Sequence, residues 1–294
     1  MDAVVVRVPA TIANLGPGFD ALGLALSWHN EVRVERTSDG LSISAMGPGA
    51  ETLPRDETNL VVRALSSIMG DESASLSVNQ LIAIPNGRGF GSSAAAIVAG
   101  LVAGRALAGS SETDEQLLEK AIAFEGHADN VAPCLLGGIT VATDKSTIRI
   151  EPPDAIRPLV CVAPHAMRTE AARAALANEI TRSDAVANIG RAALLVAALT
   201  EGRSNVLMDA TEDRLHQPTR FELMPDSGAL ARALRGKGLA AFLSGAGPSV
   251  AALVEAGAAD EAVKTARGLA PDGWEVRLES FDPKGAHVVS RRET

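Results

Sequence analysis

Apolar and polar residues alternate along the first third of the chain with the period of two that is typical of β-strands. The alternation covers residues 4–8, 32–34 and 41–44, and a longer apolar segment at residues 76–84 leads into Pro85. From residue 94 onward, apolar side chains recur at every fourth position, which indicates a helix. The first third therefore predicts short strands, joined by turns, that lead into a helix.

A second helix is predicted over residues 114–125. Thr113 precedes this segment and Gln116 follows three residues later, which is the capping-box pattern of a helix start. Gly126 is the predicted stop, because glycine commonly follows the last residue of a helix.

The second half of the chain begins, by prediction, after a proline-rich segment. Residues 151–158 contain three prolines and no periodicity, so we predict a boundary there between two domains, residues 1–152 and residues 153–294. Strands and helices then mix without strict βαβ alternation, which predicts the α+β fold class. The predicted elements of this half are a strand at 159–162, helices near 169–180, 186–200 and 229–234, and a strand pair at 239–243 and 250–254.

Composition excludes several classes of protein. A net charge of −9, from 27 Lys and Arg against 36 Asp and Glu, argues against a general nucleic-acid binder. Cys134 and Cys161 form no CxxC motif, so we expect a reducing cytosol and neither a disulfide scaffold nor a zinc module. No segment reaches about 18 uninterrupted apolar residues, and no secretory signal is visible. We therefore expect a cytoplasmic protein without membrane contact.

The strongest chemical signal is a loop with three glycines at alternate positions, between the strand at 76–84 and the following helix. Glycine permits positive φ and close approach to a ligand, and a helix start offers free N–H groups and the positive end of the helix dipole. The spacing is neither GxxxxGK[ST] nor GxGxxG. The loop predicts a phosphate site, although an ordinary strand-to-helix turn capped by Ser92 also fits. Its residues are Pro85, Asn86, Gly87, Arg88, Gly89, Phe90, Gly91, Ser92, Ser93, Ala94 and Ala95.

A second turn-rich loop follows the first strand. Gly16 and Gly18 flank Pro17, and the polar residues Asn14 and Asp20 stand at its ends. Two interpretations fit this pattern: a ligand-binding loop, or an Asx turn at Asn14 combined with a helix cap at Asp20.

A third polar cluster lies at residues 125–133. Glu125 falls on the apolar stripe of its helix and at the C-terminus, where the helix dipole disfavours a carboxylate. A carboxylate so placed needs an Arg, a Lys or a divalent cation as its partner. The segment from His127 through Asn130 to Pro133 predicts another helix start, with the proline in the first turn. Taken alone, a histidine such as His127 is more often a buried residue with satisfied hydrogen bonds than a catalyst.

With these loops in view, the sequence resembles the GHMP small-molecule kinases. The loop at 85–95 resembles their ATP signature and departs from it only at Phe90, where leucine is usual. Residues 9–20 resemble the homoserine kinases in particular, although Thr11 and Ile12 replace the common pair of serines. Two further motifs match in order and at the expected separations: residues 125–133 and residues 244–249.

The resemblance implies a two-domain fold with mixed and antiparallel sheets layered with helices, an active site in the interdomain cleft, and a homodimer. It implies transfer of a phosphoryl group from ATP, with Mg²⁺, to L-homoserine in threonine biosynthesis. Residues 87–93 would cradle the ATP phosphates, Ser93 and Glu125 would hold Mg²⁺, and Asn59 matches a position near the adenosine. The implied homoserine pocket comprises Asn14, Asp20, His127, Asn130, Arg173 and Arg220, closed by Gly245 and Gly247.

The charges of this implied pocket suit a zwitterion. Asp20 would bind the ammonium group, and Arg173 and Arg220 would bind the carboxylate. Asn130 stands where several kinases of the superfamily have an aspartate base, and an amide cannot take a proton. We therefore expect catalysis by positioning and charge neutralisation, with the hydroxyl proton leaving to a phosphate oxygen.

Two other functions stay open at this point: a kinase of the superfamily for mevalonate or shikimate, and a catalytically silent nucleotide-binding relative. Asp20 argues against the first, because those alcohols carry no ammonium group. Ser93 and Glu125 argue against the second, because a silent protein does not need a costly carboxylate.

Overall fold

The computed structural model describes residues 2–292 of the chain. Its strands are β1 Ala3–Ala13, β2 Leu22–Arg36, β3 Ser42–Met46, β4 Leu76–Leu81, β5 Ile139–Ala142, β6 Thr147–Ile150, β7 Ile156–Val162, β8 Ala240–Leu243, β9 Val250–Glu255, β10 Glu275–Leu278 and β11 His287–Arg292. Its helices are α1 Leu60–Met69, α2 Ser92–Ala108, α3 Asp114–Glu125, α4 Ala128–Leu136, α5 Thr169–Ala174, α6 Arg182–Glu201, α7 Leu207–Ala210, α8 Gln217–Leu223, α9 Pro225–Gly236 and α10 Ala259–Leu269.

The strands form two sheets. The larger has the order β11-β1-β2-β4-β3, and β5 extends it by pairing with β2 and β6. Only β3 and β4 run parallel in it; its other pairs are antiparallel. The smaller sheet is antiparallel throughout, in the order β10-β7-β9-β8. This mixed and antiparallel arrangement confirms the α+β class.

The larger sheet contains strands from both ends of the described chain. The smaller sheet contains only strands after residue 153, whereas β11 pairs with β1 and so returns to the first sheet. The domain boundary at 152/153 therefore stays a prediction.

Helix α2 is the centre of the larger hydrophobic core. It is apolar on nearly all sides and packs between the larger sheet and α1, with buried residues such as Ile97, Val98 and Leu101. Because α2 is packed on nearly all sides, its neighbours fix the position of its N-terminus. The glycine-rich loop before α2 therefore has a fixed support.

The predicted capping of α3 is confirmed in detail. The Thr113 hydroxyl accepts from the Gln116 N–H at 3.3 Å, the Gln116 side chain accepts from the Thr113 N–H at 2.9 Å, and Gly126 ends the helix with φ 93°. Both capping bonds satisfy N–H groups that the helix itself leaves free.

Several predicted boundaries were wrong: α6 and α9 each begin four residues before the predicted positions 186 and 229, and three further differences have a physical reason. β4 ends at Leu81 and not at residue 84, and α5 ends at Ala174 and not near residue 180. Residues 177–180 are exposed, so a further helical turn would bury no apolar face. β7 begins at Ile156, inside the proline-rich segment. Pro158 lies opposite Glu279, just past the end of β10, and its carbonyl accepts from the Glu279 N–H at 2.9 Å. Proline has no N–H to return the bond, and the Glu279 carbonyl accepts from the Arg157 side chain at 2.9 Å.

One helix of the described residues, α6, could cross a membrane by its length and apolar composition alone, with 22% of the matching segment buried. A single such helix is weak evidence of a span. The expected lack of membrane contact stays a prediction.

Candidate active site

Two cavities meet at the first turn of α2. The larger, of about 370 Å³, lies beside α1 and β4 and has largely apolar walls. The smaller, of about 70 Å³, is lined mainly by polar and charged side chains and by glycines. Ser92 and Ser93 line both cavities. The start of α2 is thus the point at which an apolar pocket adjoins a polar one.

The glycine-rich loop holds its backbone against the loops of the smaller sheet. Gly87, Gly89 and Gly91 all have positive φ, at 66°, 85° and 65°. The Gly87 carbonyl accepts from the Met167 N–H at 2.8 Å, and the Ser244 hydroxyl donates to the Gly89 carbonyl at 2.6 Å. A Cβ on Gly89 would lie 2.1 Å from the Ser244 carbonyl oxygen, so only glycine fits this approach.

The cap of α2 leaves its first N–H groups to the cavities. Gly91 is the N-cap residue and offers no side-chain cap, so the alternative in which Ser92 caps the helix is wrong. The N–H groups at a helix start carry the positive end of the helix dipole. This first turn can therefore receive an anion, as the sequence predicts.

The side chains of Ser93 and Glu125 connect the start of α2 to the end of α3. The Ser93 hydroxyl donates to the Glu125 carboxylate at 2.7 Å, and both residues line the polar cavity. A hydroxyl and a carboxylate are hard oxygen donors of the kind that Mg²⁺ prefers. The Glu125 carboxylate is thus paired with a hydroxyl and not with an Arg or Lys of the described residues, at a position suited to a cation.

The loop after β1 is strained and tied across the cavity. Asn14, Leu15 and Asp20 have positive φ, at 69°, 48° and 59°, which is unusual for residues other than glycine. The Asn14 amide accepts from the Asp20 N–H and donates to the Gly245 carbonyl, both at 3.0 Å. Asp20 caps no helix, because a turn and then β2 follow it. The predicted helix cap at Asp20 is therefore wrong, and the ligand-binding interpretation stays a prediction.

Asp20 and Arg173 bind each other in this structure. The guanidinium of Arg173 donates to both carboxylate oxygens, at 2.7 and 2.8 Å. Although burial acts to raise it, the hydrogen bonds and charge of Arg173 lower the pKa of Asp20. The centroid of the Phe19 ring lies 5.4 and 5.3 Å from the guanidinium carbons of Arg173 and Arg220. The charged groups of this end of the cavity are thus held against one aromatic surface.

His127 pairs with Asp129 and not with a structural backbone group. Its Nδ1 lies 2.5 Å from the carboxylate of Asp129, which is buried. This hydrogen bond raises the pKa of His127, against partial burial, and the charges of Asp129, Asp20 and Glu125 add to the rise. The Asp129 carboxylate and the neighbouring acids therefore favour the protonated form of His127, in a wall that also contains Asp20.

Asn130 lies in the first turn of α4 and faces the same cavity. Its Oδ1 accepts from the Thr11 hydroxyl at 2.7 Å, which leaves its NH₂ group to the cavity. Pro133 is the sixth residue of α4, so its predicted place in the first turn was wrong. Proline has no N–H, so Pro133 cannot donate the helical hydrogen bond to the Asp129 carbonyl. This carbonyl faces Gly23, where a Cβ would lie 1.9 Å from the carbonyl oxygen. β2 can thus approach α4 closely.

Arg220 is the most buried cation of the site, with 2% of its surface exposed. Its Nη1 donates to the Gly245 carbonyl at 3.2 Å and to Nδ1 of His216 at 3.1 Å. Burial lowers its pKa, and the charge of Arg173 acts in the same direction. A guanidinium keeps its charge under such conditions, so this end of the cavity suits a carboxylate.

Comparison with known proteins agrees with this geometry. Residues 59–138 match the family model of the GHMP kinases N terminal domain, and residues 185–269 match that of the GHMP kinases C terminal. The homoserine kinase of Streptomyces avermitilis is 50% identical, over 98% of this chain and 96% of that protein. The chain belongs to the homoserine kinase family.

Other homoserine kinases are similar over more than nine tenths of their length. The homoserine kinase of Leifsonia xyli is 43% identical, over 97% of this chain and 92% of that protein. The crystal structure of homoserine kinase from Cytophaga hutchinsonii superimposes with a TM-score of 0.89 at 28% identity, covering 98% of both chains. The two-domain GHMP kinase fold is thus confirmed.

Most of the residues predicted from the homoserine kinase resemblance line one of the two cavities. The polar cavity brings together Asn14, Asp20, Gly87, Gly89, Gly91, Ser92, Ser93, Glu125, His127, Asn130, Arg173, Arg220 and Gly245. The apolar cavity is lined by Asn59, Asn86, Ser92, Ser93 and Ala95. Asn59 also caps α1, because its side chain accepts from the Val61 N–H at 3.0 Å.

Five predicted residues line neither cavity. Phe90 is buried beside Trp28, with ring centroids 5.3 Å apart, and Arg88 donates to the Ala163 carbonyl at 2.9 Å. Gly247 packs against Met224, where a Cβ would lie 2.7 Å from the sulfur. These three hold the loops in place; the other two are Pro85 and Ala94.

Among the polar residues that the sequence interpretation missed are Thr11, Asp129, Thr169 and His216, which line the polar cavity or contact residues that line it. Asp129 lies between His127 and Asn130 in the motif that we quote, so its position was a usable signal. His216 precedes Arg220 by four residues, which is one helical turn. The resemblance drew attention to Thr11, but no local pattern could show its contact with Asn130, which spans 119 residues.

Proposed function

We propose that this chain transfers the γ-phosphoryl group of ATP to the hydroxyl group of L-homoserine and so makes O-phospho-L-homoserine for threonine biosynthesis. The observation that carries the proposal is the meeting of an apolar and a polar cavity at Ser92 and Ser93. Phosphoryl transfer needs a nucleotide and an acceptor whose reacting atoms meet at one point. The homoserine kinase names of the full-length relatives support the choice of acceptor.

The adenosine of ATP would occupy the larger cavity, whose walls include Asn59 and whose volume of about 370 Å³ suits a small ligand. The triphosphate would then lie along residues 87–93, over the N–H groups that start α2. In this arrangement the γ-phosphate reaches the polar cavity, where the acceptor binds.

Ser93 and Glu125 would hold a magnesium ion beside the triphosphate. Their oxygen atoms already lie 2.7 Å apart, and both are donors of the type that this ion accepts. Bound there, the ion would supply charge neutralisation to the phosphate oxygens. In its absence, the hydroxyl of Ser93 provides the hydrogen bond that the carboxylate needs.

L-homoserine would occupy the polar cavity with its charged groups toward Asp20 and the two arginines. Asp20 would bind the ammonium group, while Arg173 and Arg220 would bind the carboxylate through planar guanidinium groups. The pair between Asp20 and Arg173 must open or be shared for this to happen. Asn14 orients Asp20, and His127, whose pKa is raised by its hydrogen bond to Asp129, lines the same wall.

Asn130 would orient the acceptor hydroxyl for in-line attack on the γ-phosphorus. Its Oδ1 is used by Thr11, so the NH₂ group is the part that can donate to the hydroxyl oxygen. An amide takes no proton, and the hydroxyl proton would therefore leave to a phosphate oxygen. Positioning and charge neutralisation then supply the rate enhancement.

The remaining properties of the proposal extend the family resemblance. We expect a homodimer, a cytoplasmic location, domains at residues 1–152 and 153–294, and neither nucleic-acid nor membrane partners. The net charge of −9 supports the absence of nucleic acid.

A coupled assay of ADP release tests the proposal with L-homoserine, mevalonate and shikimate in parallel. We expect turnover with L-homoserine alone, because only this acceptor has an ammonium group for Asp20. Turnover with mevalonate or shikimate, and none with homoserine, would favour a different alcohol kinase. ATP binding without turnover of any of the three would favour a silent relative.

A further inference from the structure

His216 stands between the loop that presents Asp20 and the guanidinium of Arg220. Its Nε2 lies 2.9 Å from the Gly16 carbonyl oxygen, and its Nδ1 lies 3.1 Å from Nη1 of Arg220. Its ring stacks on Phe19, with centroids 5.1 Å apart. One imidazole therefore contacts both parts of the cavity that carry opposite charges.

These two contacts require one form of the imidazole. A carbonyl oxygen can only accept, so Nε2 must carry the hydrogen. A guanidinium can only donate, so Nδ1 must have its lone pair free. Only the neutral tautomer with hydrogen on Nε2 makes both bonds, whereas a doubly protonated ring would present an N–H group and a positive charge to Arg220.

The surroundings of His216 support the neutral form. The residue is fully buried, and burial lowers its pKa, against the opposing charge of Asp213. The carboxylate of Asp213 lies 3.6 Å from Nε2, but it also accepts from the N–H groups of His216 and Gln217 and from the Asn188 amide. Arg220 adds positive charge on the other side.

Arg220 has few other anchors. Nη1 also reaches the Gly245 carbonyl, and Nε makes a long 3.5 Å contact with the Ala172 carbonyl. Within residues 2–292, Nη2 of Arg220 has no hydrogen-bond partner on the protein. The bonds on Nη1 and Nε thus fix the plane of the guanidinium and leave Nη2 for a ligand.

We infer that His216 is a positioning residue for Arg220, whose neutral imidazole holds the guanidinium so that Nη2 meets the carboxylate of the amino-acid substrate. This inference rests on the proposed function. It adds a specificity role for a residue that does not line the cavity: His216 makes the site select an acceptor that has a carboxylate. Through its hydrogen bond to Gly16 and its stacking on Phe19, His216 fixes the position of Arg220 relative to the loop that contains Asp20.

Each of two substitutions removes one of the two hydrogen bonds of the His216 imidazole and keeps the other. His216→Gln places an amide nitrogen near the position of Nε2, so it keeps the donor to Gly16 and loses the acceptor to Arg220. His216→Asn places an amide oxygen near the position of Nδ1, so it keeps the acceptor and loses the donor. His165→Gln is the matched control, because His165 is exposed.

The measurement is kcat/KM for L-homoserine and for L-homoserine amide, which has the same shape without the carboxylate charge. For His216→Gln we expect kcat/KM for homoserine to fall about tenfold or more, as for a lost hydrogen bond to a charged group. The value for the amide, and the KM for ATP, should change by less than about threefold. His216→Asn and His165→Gln should keep the ratio between the two substrates.

An equal fall for both substrates in His216→Gln, or an equal loss of the ratio in the Gln and Asn variants, would overturn the inference and leave a purely structural role. The wild-type reaction with homoserine is measured in the same series, so failure of the proposed function is seen separately. If the variants do not fold, ¹⁵N chemical shifts of the histidines in the wild-type protein decide the matter. A neutral Nε2–H tautomer for His216 supports the inference, and an Nδ1–H or charged ring overturns it.

Discussion

Arg173 donates two parallel hydrogen bonds to the carboxylate of Asp20, at 2.7 and 2.8 Å. In the proposed complex, Asp20 binds the ammonium group and Arg173 binds the carboxylate of the same zwitterion. In this structure, the two side chains neutralise each other's charge. Both side chains are partly exposed to the cavity, at 33% for Asp20 and 41% for Arg173. A ligand with both charges can therefore replace the pair without leaving either group alone.

Asp20→Asn should raise the KM for L-homoserine about tenfold to a hundredfold, because the ammonium group loses a charged partner. The KM for ATP should stay within about threefold of wild type. Steady-state kinetics with each substrate varied in turn make the comparison. Glu170→Gln is the control, since Glu170 is an exposed acid next to the same cavity wall. An unchanged KM for homoserine in Asp20→Asn would exclude Asp20 from the ammonium site.

Glu125→Gln should lower kcat about a hundredfold and raise the Mg²⁺ concentration needed for half-maximal activity. The cause is the loss of a carboxylate that faces the Ser93 hydroxyl at 2.7 Å. A titration of activity with Mg²⁺ at fixed ATP measures both effects. Glu119→Gln changes an exposed acid on the same helix and should behave as wild type. If the two variants show the same Mg²⁺ dependence, Glu125 does not bind the metal.

Asn130→Asp should reduce kcat, because a carboxylate would repel the γ-phosphate and no base is required. Its partner Thr11 can still donate to the new side chain, so the fold should be retained. The check is the pH dependence of kcat in wild type and variant. A gain in rate that follows a new carboxylate pKa would instead support an aspartate-base mechanism.

The pH dependence of stability should report the pair between His127 and Asp129. The hydrogen bond to Asp129 raises the pKa of His127 above its ordinary value of 6.5. Its stabilisation is therefore fully present below about pH 6.5 and is lost as pH rises through the higher folded-state pKa. His127→Asn keeps a neutral donor near Nδ1 and does not titrate. The Tm difference between wild type and this variant should shrink from pH 6 toward pH 9. A difference that grows with pH would contradict the pairing.

Gly89→Ala should destabilise the protein by more than about 2 kcal/mol, because its Cβ would meet the Ser244 carbonyl oxygen at 2.1 Å. Gly109→Ala is the matched control: it also has positive φ, at 63°, but no atom lies within 4 Å of its Cβ, so it should cost about 1 kcal/mol. Urea unfolding measures both. Equal losses would show that the contact with Ser244 does not constrain the loop.

Local patterns predicted much of the fold. The capping box at Thr113 and Gln116 placed the start of α3 correctly, and the glycines of residues 87–91 marked the loop that joins the two cavities. Both signals depend on neighbours within a few residues, which a single sequence contains. The family resemblance added the long-range grouping of Asp20, Glu125 and Arg173, which no local pattern provides.

Contacts between residues that are far apart in the chain could not be predicted from the sequence. The bond from Thr11 to Asn130 and the bond from His216 to Gly16 span 119 and 200 residues. The limits of α5 and β7 were also missed, because they depend on tertiary burial and on where the ladder with β10 stops. The mutual pairing of Asp20 and Arg173 follows from the backbone positions of two separate loops, so it appears only in the folded chain.

A crystal structure with a non-hydrolysable ATP analogue, Mg²⁺ and L-homoserine tests the central claim most directly. We predict the triphosphate along residues 87–93 and a metal ion about 2.1 Å from the oxygens of Ser93 and Glu125. The homoserine carboxylate should lie on Arg220, with its hydroxyl at Asn130. A nucleotide bound elsewhere, or Glu125 remote from any metal, would contradict the account.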